Sequence, residues 1–146
     1  MATRPIGYWI KEVDRLLDET FAQALGSEQC TRRHWQLLNA LEPEPRSTED
    51  LVAAVAPFAA ADPAGVQAAL DDVMQRGWAK PLPGAKVQLT PAGRTVHERL
   101  HVTVAAHRRH IAEGVSDAEY RTTVAVLERM AGNLEAFLGS RRHPAG

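Results

Sequence analysis

Cys30 stands directly before Thr31-Arg32-Arg33, a stretch that reads as the start of a helix. A thiol placed there meets free backbone N–H groups and the positive end of the helix dipole, which lower its pKa and favour the oxidisable thiolate. The competing role is a small apolar side chain packed in the link between two helices. His97 and His101 are four positions apart and share a helix face, the spacing of a metal-binding pair, and His107 and His110 are three apart. No acid or cysteine cluster completes either pair, and a metal site needs a third ligand. His107 also continues the row Leu100, Val104, Ile111, which suits a half-buried interface residue. Tyr8, Trp9, His34 and Trp35 offer aromatic area with polar tips, the usual walls of a small-molecule site. Alternatively Trp9 and Trp35, which fall on helical stripes, belong to the core. Arg108-Arg109 and Arg141-Arg142 read as solvated basic pairs. No nucleophile triad, Gly-rich phosphate loop or paired-carboxylate motif stands out, so the chain reads as a non-enzyme without a cofactor.

The chain that must position these groups has 146 residues and a formal net charge of −1. That length suits one domain able to bury a core. The charge announces neither nucleic acid nor an anionic membrane. No apolar run approaches the roughly 18–20 residues that span a bilayer. The stretch Met1-Ala2-Thr3-Arg4-Pro5 lacks the apolar centre and cleavage site of a signal peptide. With one cysteine and no internal disulfide, the expected setting is the reducing cytoplasm.

Hydrophobic spacing and punctuation divide the chain into six helices and a hairpin. The first helix is expected from near Pro5 to about Leu25, with Ile6, Ile10, Val13, Leu17, Phe21 and Ala24 along one face. Trp9 and Leu16 widen that face, and a helix apolar on two sides must bury against more than one partner. Thr31 reads as the N-cap of a second helix ending at Leu41, ahead of the helix-breaking Glu42-Pro43-Glu44-Pro45-Arg46. Ser47 or Thr48 caps a third, Glu49 to about Phe58, its end distorted or cut back to Ala56 by Pro57. Asp62-Pro63 starts a fourth, which carries Val66, Leu70, Val73 and Met74 and stops at Gly77. Trp78–Leu82 reads as a short strand, Pro83-Gly84 as a turn, and Lys86–Leu89, which alternates polar and apolar, as the returning strand. Thr90-Pro91 opens a long helix to about Glu113. Ser116-Asp117-Ala118-Glu119 is a capping box for a last one, to about Leu138 with Gly139 after it. Tyr120, Val124, Leu127, Ala131, Leu134 and Leu138 alternate spacings of four and three, a heptad seam for helices packed side by side.

A helix-turn-helix pair followed at once by a small hairpin is the winged-helix arrangement. The order of motifs resembles the MarR family of bacterial regulators over nearly the whole chain. The likeness rests on the helix from Thr31 to Leu41, the capped Ser47-Thr48-Glu49-Asp50-Leu51, the run Leu70-Asp71-Asp72-Val73-Met74-Gln75-Arg76-Gly77-Trp78, and Leu89-Thr90-Pro91-Ala92-Gly93. The resemblance implies a mainly α fold with a β-hairpin wing. A winged-helix lobe would span 31–90, a helical dimerisation base 4–26 and 91–139, and a frayed tail 140–146. It further implies a homodimer joined through Ile6, Ile10, Tyr120, Val124, Leu127 and Leu134. That dimer would bind a pseudo-palindromic DNA operator, with no membrane partner, and would answer to a small aromatic or anionic effector held in a cleft between base and lobe.

The lobe departs from a strongly basic surface. Between Thr48 and Thr90 five acids face three bases, a net of −2. Phosphate contacts supply most non-specific affinity for DNA. On the fourth helix Ala64, Gly65, Gln67, Ala68 and Asp71 lie away from the apolar stripe, and Gln67 has the amide that pairs with adenine. Arg76, Lys86 and Arg94 are the nearby cations for phosphate, and Arg32, Arg33 and Arg46 lie outside the lobe's two reading elements. Two functions therefore stand side by side. The intact cap, turn and wing favour a DNA-binding regulator. The acidic lobe favours a winged-helix dimer serving as a ligand-binding or protein-interaction scaffold.

Overall fold

A computed structural model describes residues 3–59 and 63–142. The elements follow in order as α1 (Ile6–Ala24), a short 3-10 turn (Gly26–Glu28), α2 (Arg32–Leu41), β1 (Arg46–Ser47), α3 (Thr48–Ala59), α4 (Pro63–Gln75), β2 (Ala79–Leu82), β3 (Lys86–Leu89), α5 (Pro91–Ile111) and α6 (Asp117–Arg142). The expected cap at Asp62 and the end of the tail beyond Arg142 lie outside the described residues, as does the Phe58 side chain. The chain divides between His107 and Arg108 into two compact units.

In the first unit the sheet has strand order β1-β3-β2, all antiparallel. β2 and β3 are the expected hairpin, in register from Ala79 opposite Leu89 to Leu82 opposite Lys86. β1 is an addition: Arg46 pairs with Val87 and Ser47 with Lys86, covering the free edge of β3. Leu37, Leu38 and Leu41 from α2, Leu51 and Val55 from α3, and Val66, Leu70 and Val73 from α4 close over Val87 and Leu89, with Val96, Leu100 and Val104 of α5 beside them.

The caps explain where the elements begin and end. Thr31 accepts the His34 N–H, and the His34 ring accepts the Thr31 N–H, a reciprocal capping box with histidine in the usual Glu/Gln place. Ser47, rather than Thr48, caps α3 by accepting the Asp50 N–H at 3.0 Å. α4 closes with paired bonds from Gly77 N–H to the Met74 carbonyl and from Trp78 N–H to the Val73 carbonyl. This stop requires the positive φ of +77° that Gly77 adopts. It also holds Trp78 out of the strand, so β2 begins at Ala79. α3 runs on through Pro57 to Ala59, so the cut back to Ala56, one of the two ends expected, does not occur. A proline in the last turn forfeits a single donor there, and the turn survives that loss.

In the second unit Ser116 and Glu119 form the expected capping box, each bond 3.1 Å. α6 passes through Gly139 and ends at Arg142, beyond the stop expected at Leu138. A helical glycine costs about 1 kcal/mol relative to alanine, too little to end a helix when no proline follows directly. Tyr120, Val124, Leu127, Leu134 and Leu138 are all exposed in the single chain. α1 is similar: its core contacts begin at Leu17 and Phe21, whereas Ile6, Ile10 and Val13 are open. Trp9 is 52% exposed, so its expected place in the core is corrected. The N-terminal half of α1 lies beyond the core it was expected to cover.

Candidate nucleic-acid interface

α4 turns Val66, Leu70 and Val73 inwards and leaves Ala64, Gln67, Ala68 and Asp71 exposed. Small side chains around one amide form a face that can approach a flat surface closely. The Gln67 amide donates to Asp71 Oδ1 at 2.9 Å, so in the free protein the two side chains are paired along the helix. The hairpin tip turns at Pro83-Gly84-Ala85, with positive φ at Gly84 and Ala85. Lys80 and Lys86 project from its strands into solvent, and among the described residues neither forms an ion pair. Arg94, on the first turn of α5, is exposed and donates to the Glu42 carbonyl at 3.4 Å.

Other cations are engaged within the chain. Arg32 bridges Asp14 and Asp18 of α1 at 3.0 and 2.8 Å. Arg46 donates to the Ala40 carbonyl at 2.7 Å. Arg76 meets Asp72 at 2.9 Å, reaches the carbonyls of Glu28 and Gln29, and lies over the Trp78 ring. The same Asp72 carboxylate lies 2.8 Å from His34 Nε2. Asp72 is therefore held by two partners, and Asp71 is the acid left on the open face of α4.

The four aromatic candidates do not converge. Tyr8 and Trp9 meet edge to face on α1, with the Arg4 guanidinium over Tyr8. His34 is buried against Asp72. Trp35 packs on the core and stacks on His97, ring centres 5.0 Å apart. That stack adjoins a hollow of about 390 Å³ lined by Asn39, Glu42, His97, Glu98 and His101. Two further hollows flank the start of α2. One, of about 280 Å³, lies among Asp14, Asp18, Ala22, Thr31, Arg32, Arg33 and Gln36. The other, of about 420 Å³, lies among Thr31, Arg33, His34, Gly65, Ala68, Ala69 and Asp72.

Titratable groups follow their surroundings. Burial pushes the Cys30 thiol up, outweighing the nearby Arg76 charge, and its Sγ lies 3.5 Å from the Glu28 carbonyl. Of the two roles weighed for Cys30, its burial fits the small packing side chain and not the low-pKa thiol. His97 is pushed below the ordinary histidine value, by burial first, and its Nε2 meets Asn39 Oδ1 at 3.2 Å. Among the described residues no three His, Cys, Asp or Glu side chains are grouped to hold a metal. His107 packs edge to face on Phe21 and bonds Thr20 Oγ1 within the chain.

No family model matches the sequence, and no curated protein matches it. Solved structures do. The reduced form of MarR from E. coli aligns at a TM-score of 0.71 with 20% identity, over 88% of this chain and 95% of that one. Bordetella bronchiseptica BpsR, solved in a study of its regulation by 6-hydroxynicotinic acid, aligns at 0.75 and 22%, over 90% and 97%. Mycobacterium tuberculosis Rv2887, solved with DNA, aligns at 0.68 and 22%, over 88% and 98%. The chain thus has the winged-helix fold of the MarR regulators. Among the described residues no helix is long and apolar enough to cross a membrane.

Proposed function

Because the chain has this fold, we propose that it is a homodimeric DNA-binding transcriptional regulator of the cytoplasm, and not an enzyme. The observation that carries the proposal is the pairing of an exposed, small-residue face on α4, centred on Gln67, with a wing whose Lys80 and Lys86 are exposed. Two such lobes read two half-sites of a pseudo-palindromic operator. Gln67 exchanges its bond with Asp71 for a base edge, while Lys86 and Arg94 meet phosphate. The open apolar row of α1, with Ile6 and Ile10, and that of α6, with Tyr120, Val124, Leu127 and Leu134, are each covered by a second copy. A small planar effector fits the hollow beside the Trp35–His97 stack. Its two carboxylates, Glu42 and Glu98, disfavour an anion there. The scaffold alternative draws on Asp71, the acid left on the open face of α4.

Titration of operator DNA tests the assignment. Each phosphate neutralised contributes a slope of about −0.9 in log affinity against log salt. Lys86→Ala, lost from both subunits, should flatten the slope by nearly 2 units on that basis. Gln67→Ala should leave the slope alone and lose roughly 1–3 kcal/mol of discrimination per half-site. If neither variant differs from wild type, α4 and the wing are not the contact surface.

A further inference from the structure

We propose that His34 is a positioning residue for α4, latching that helix to the capped start of α2 in its neutral form and releasing it when protonated. This rests on α4 being the helix that reads DNA.

The hydrogen bonds fix the tautomer. Thr31 N–H can only donate, and it points at His34 Nδ1 at 2.9 Å. Nδ1 must therefore carry the lone pair, so the proton sits on Nε2 and is donated to Asp72 Oδ2 at 2.8 Å. Asp72 in turn accepts from Arg76 at 2.9 Å, and Arg76 reaches the Glu28 and Gln29 carbonyls in the link before α2. One imidazole thus joins the first turn of α2 to the C-terminal half of α4. The ring is buried, so water does not readily take over these bonds.

Protonation adds a hydrogen at Nδ1, where Thr31 N–H already points. Two donors then face each other, the reciprocal half of the capping box is lost, and Nδ1 must shift from the Thr31 N–H towards Thr31 Oγ1, 3.0 Å away, which disturbs the ring's alignment on Asp72. The charged groups around the ring are Asp72 on α4, Arg76 in the turn that follows it, and Arg33 on α2, which lines the same hollow. The neighbouring Cys30 thiol is held neutral by burial, and the Glu28 carboxylate is drawn to Arg99 of α5. Asp72 favours the imidazolium, but burial first, and then the Arg76 charge, keep the His34 pKa below the ordinary value. The latched state therefore binds fewer protons than the released one. Latching is complete above about pH 6.5, the unperturbed histidine value, and is lost as pH falls through the lower value of the folded protein.

The test has one arm without DNA and one with it. In the free protein, NMR of the imidazole nitrogens should show the Nε2–H tautomer at pH 7.5. The ring should titrate below pH 6.5, in step with loss of hydrogen-exchange protection in α4. Asp72→Asn, which removes the charge favouring the imidazolium, should move that step to lower pH. In the DNA arm, wild type should lose affinity between pH 7.5 and 5.5 that His34→Gln keeps. Glutamine restores the ordinary capping-box residue and cannot titrate. A ring that titrates at or above 6.5, α4 amides that ignore its titration, or an equal pH step in His34→Gln each overturns the latch. Absence of DNA binding at both pH values counts against the regulator instead, and the ring titration then decides the latch by itself.

Discussion

Gly93→Ala is expected to destabilise the protein by at least about 3 kcal/mol, the upper range for an overpacked core site. Glycine is needed at this position for space. A Cβ built on Gly93 runs into the backbone carbonyl of Trp78, which cannot swing aside as a flexible side chain would. That carbonyl also accepts the Thr90 N–H at 3.0 Å. Thr90 Oγ1 donates to the Gly77 carbonyl and accepts the Gly93 N–H at 3.1 Å. The stop of α4 at Gly77 and the start of α5 at Thr90 are therefore one knot, and Gly93 lets the two backbones approach. Pushing them apart disturbs the base of the wing and the end of α4 together. The measurement is thermal unfolding, where roughly a 10 °C fall corresponds to this loss in a domain of this size. An unchanged melting temperature would show that the contact relaxes without cost.

Leu127→Asp is expected to turn the dimer into a monomer and to lower its stability. In the single chain Leu127 is exposed along with Tyr120, Val124 and Leu134. If a second copy covers this row, an aspartate there is a charge buried without a partner, which costs several kcal/mol. Sedimentation at micromolar concentration should give a two-subunit mass for wild type and one subunit for the variant. A variant that stays dimeric with unchanged melting would place the seam elsewhere.

Local punctuation made most of the fold legible. Thr31, Ser47, Gly77, Thr90-Pro91 and the Ser116–Glu119 box act on their own neighbours, so their spacing in sequence is their mechanism. β1 was not legible: Arg46-Ser47 is too short for alternation, and its pairing depends on Val87 and Lys86, some forty positions away. Which of its two roles Cys30 takes was open in the sequence, because burial, set by distant packing, decides it and pushes the thiol up. The candidate interface was legible as a face, since Ala64, Gln67 and Ala68 follow from helical period alone. The His34–Asp72 bond joins residues 38 positions apart and leaves no periodic trace. Its one local hint was Thr31-x-x-His34, a capping-box spacing with an unusual residue at its end.

The central claim, that two copies of this lobe read a DNA site, is tested most directly by titrating wild-type protein on the DNA upstream of its own coding sequence and on unrelated DNA, each at two salt concentrations. The account predicts tighter binding to the upstream DNA, two subunits per site, and a shallow salt dependence set by the few cations of the wing and the start of α5. Equal affinity for both DNAs at both salt concentrations would contradict it.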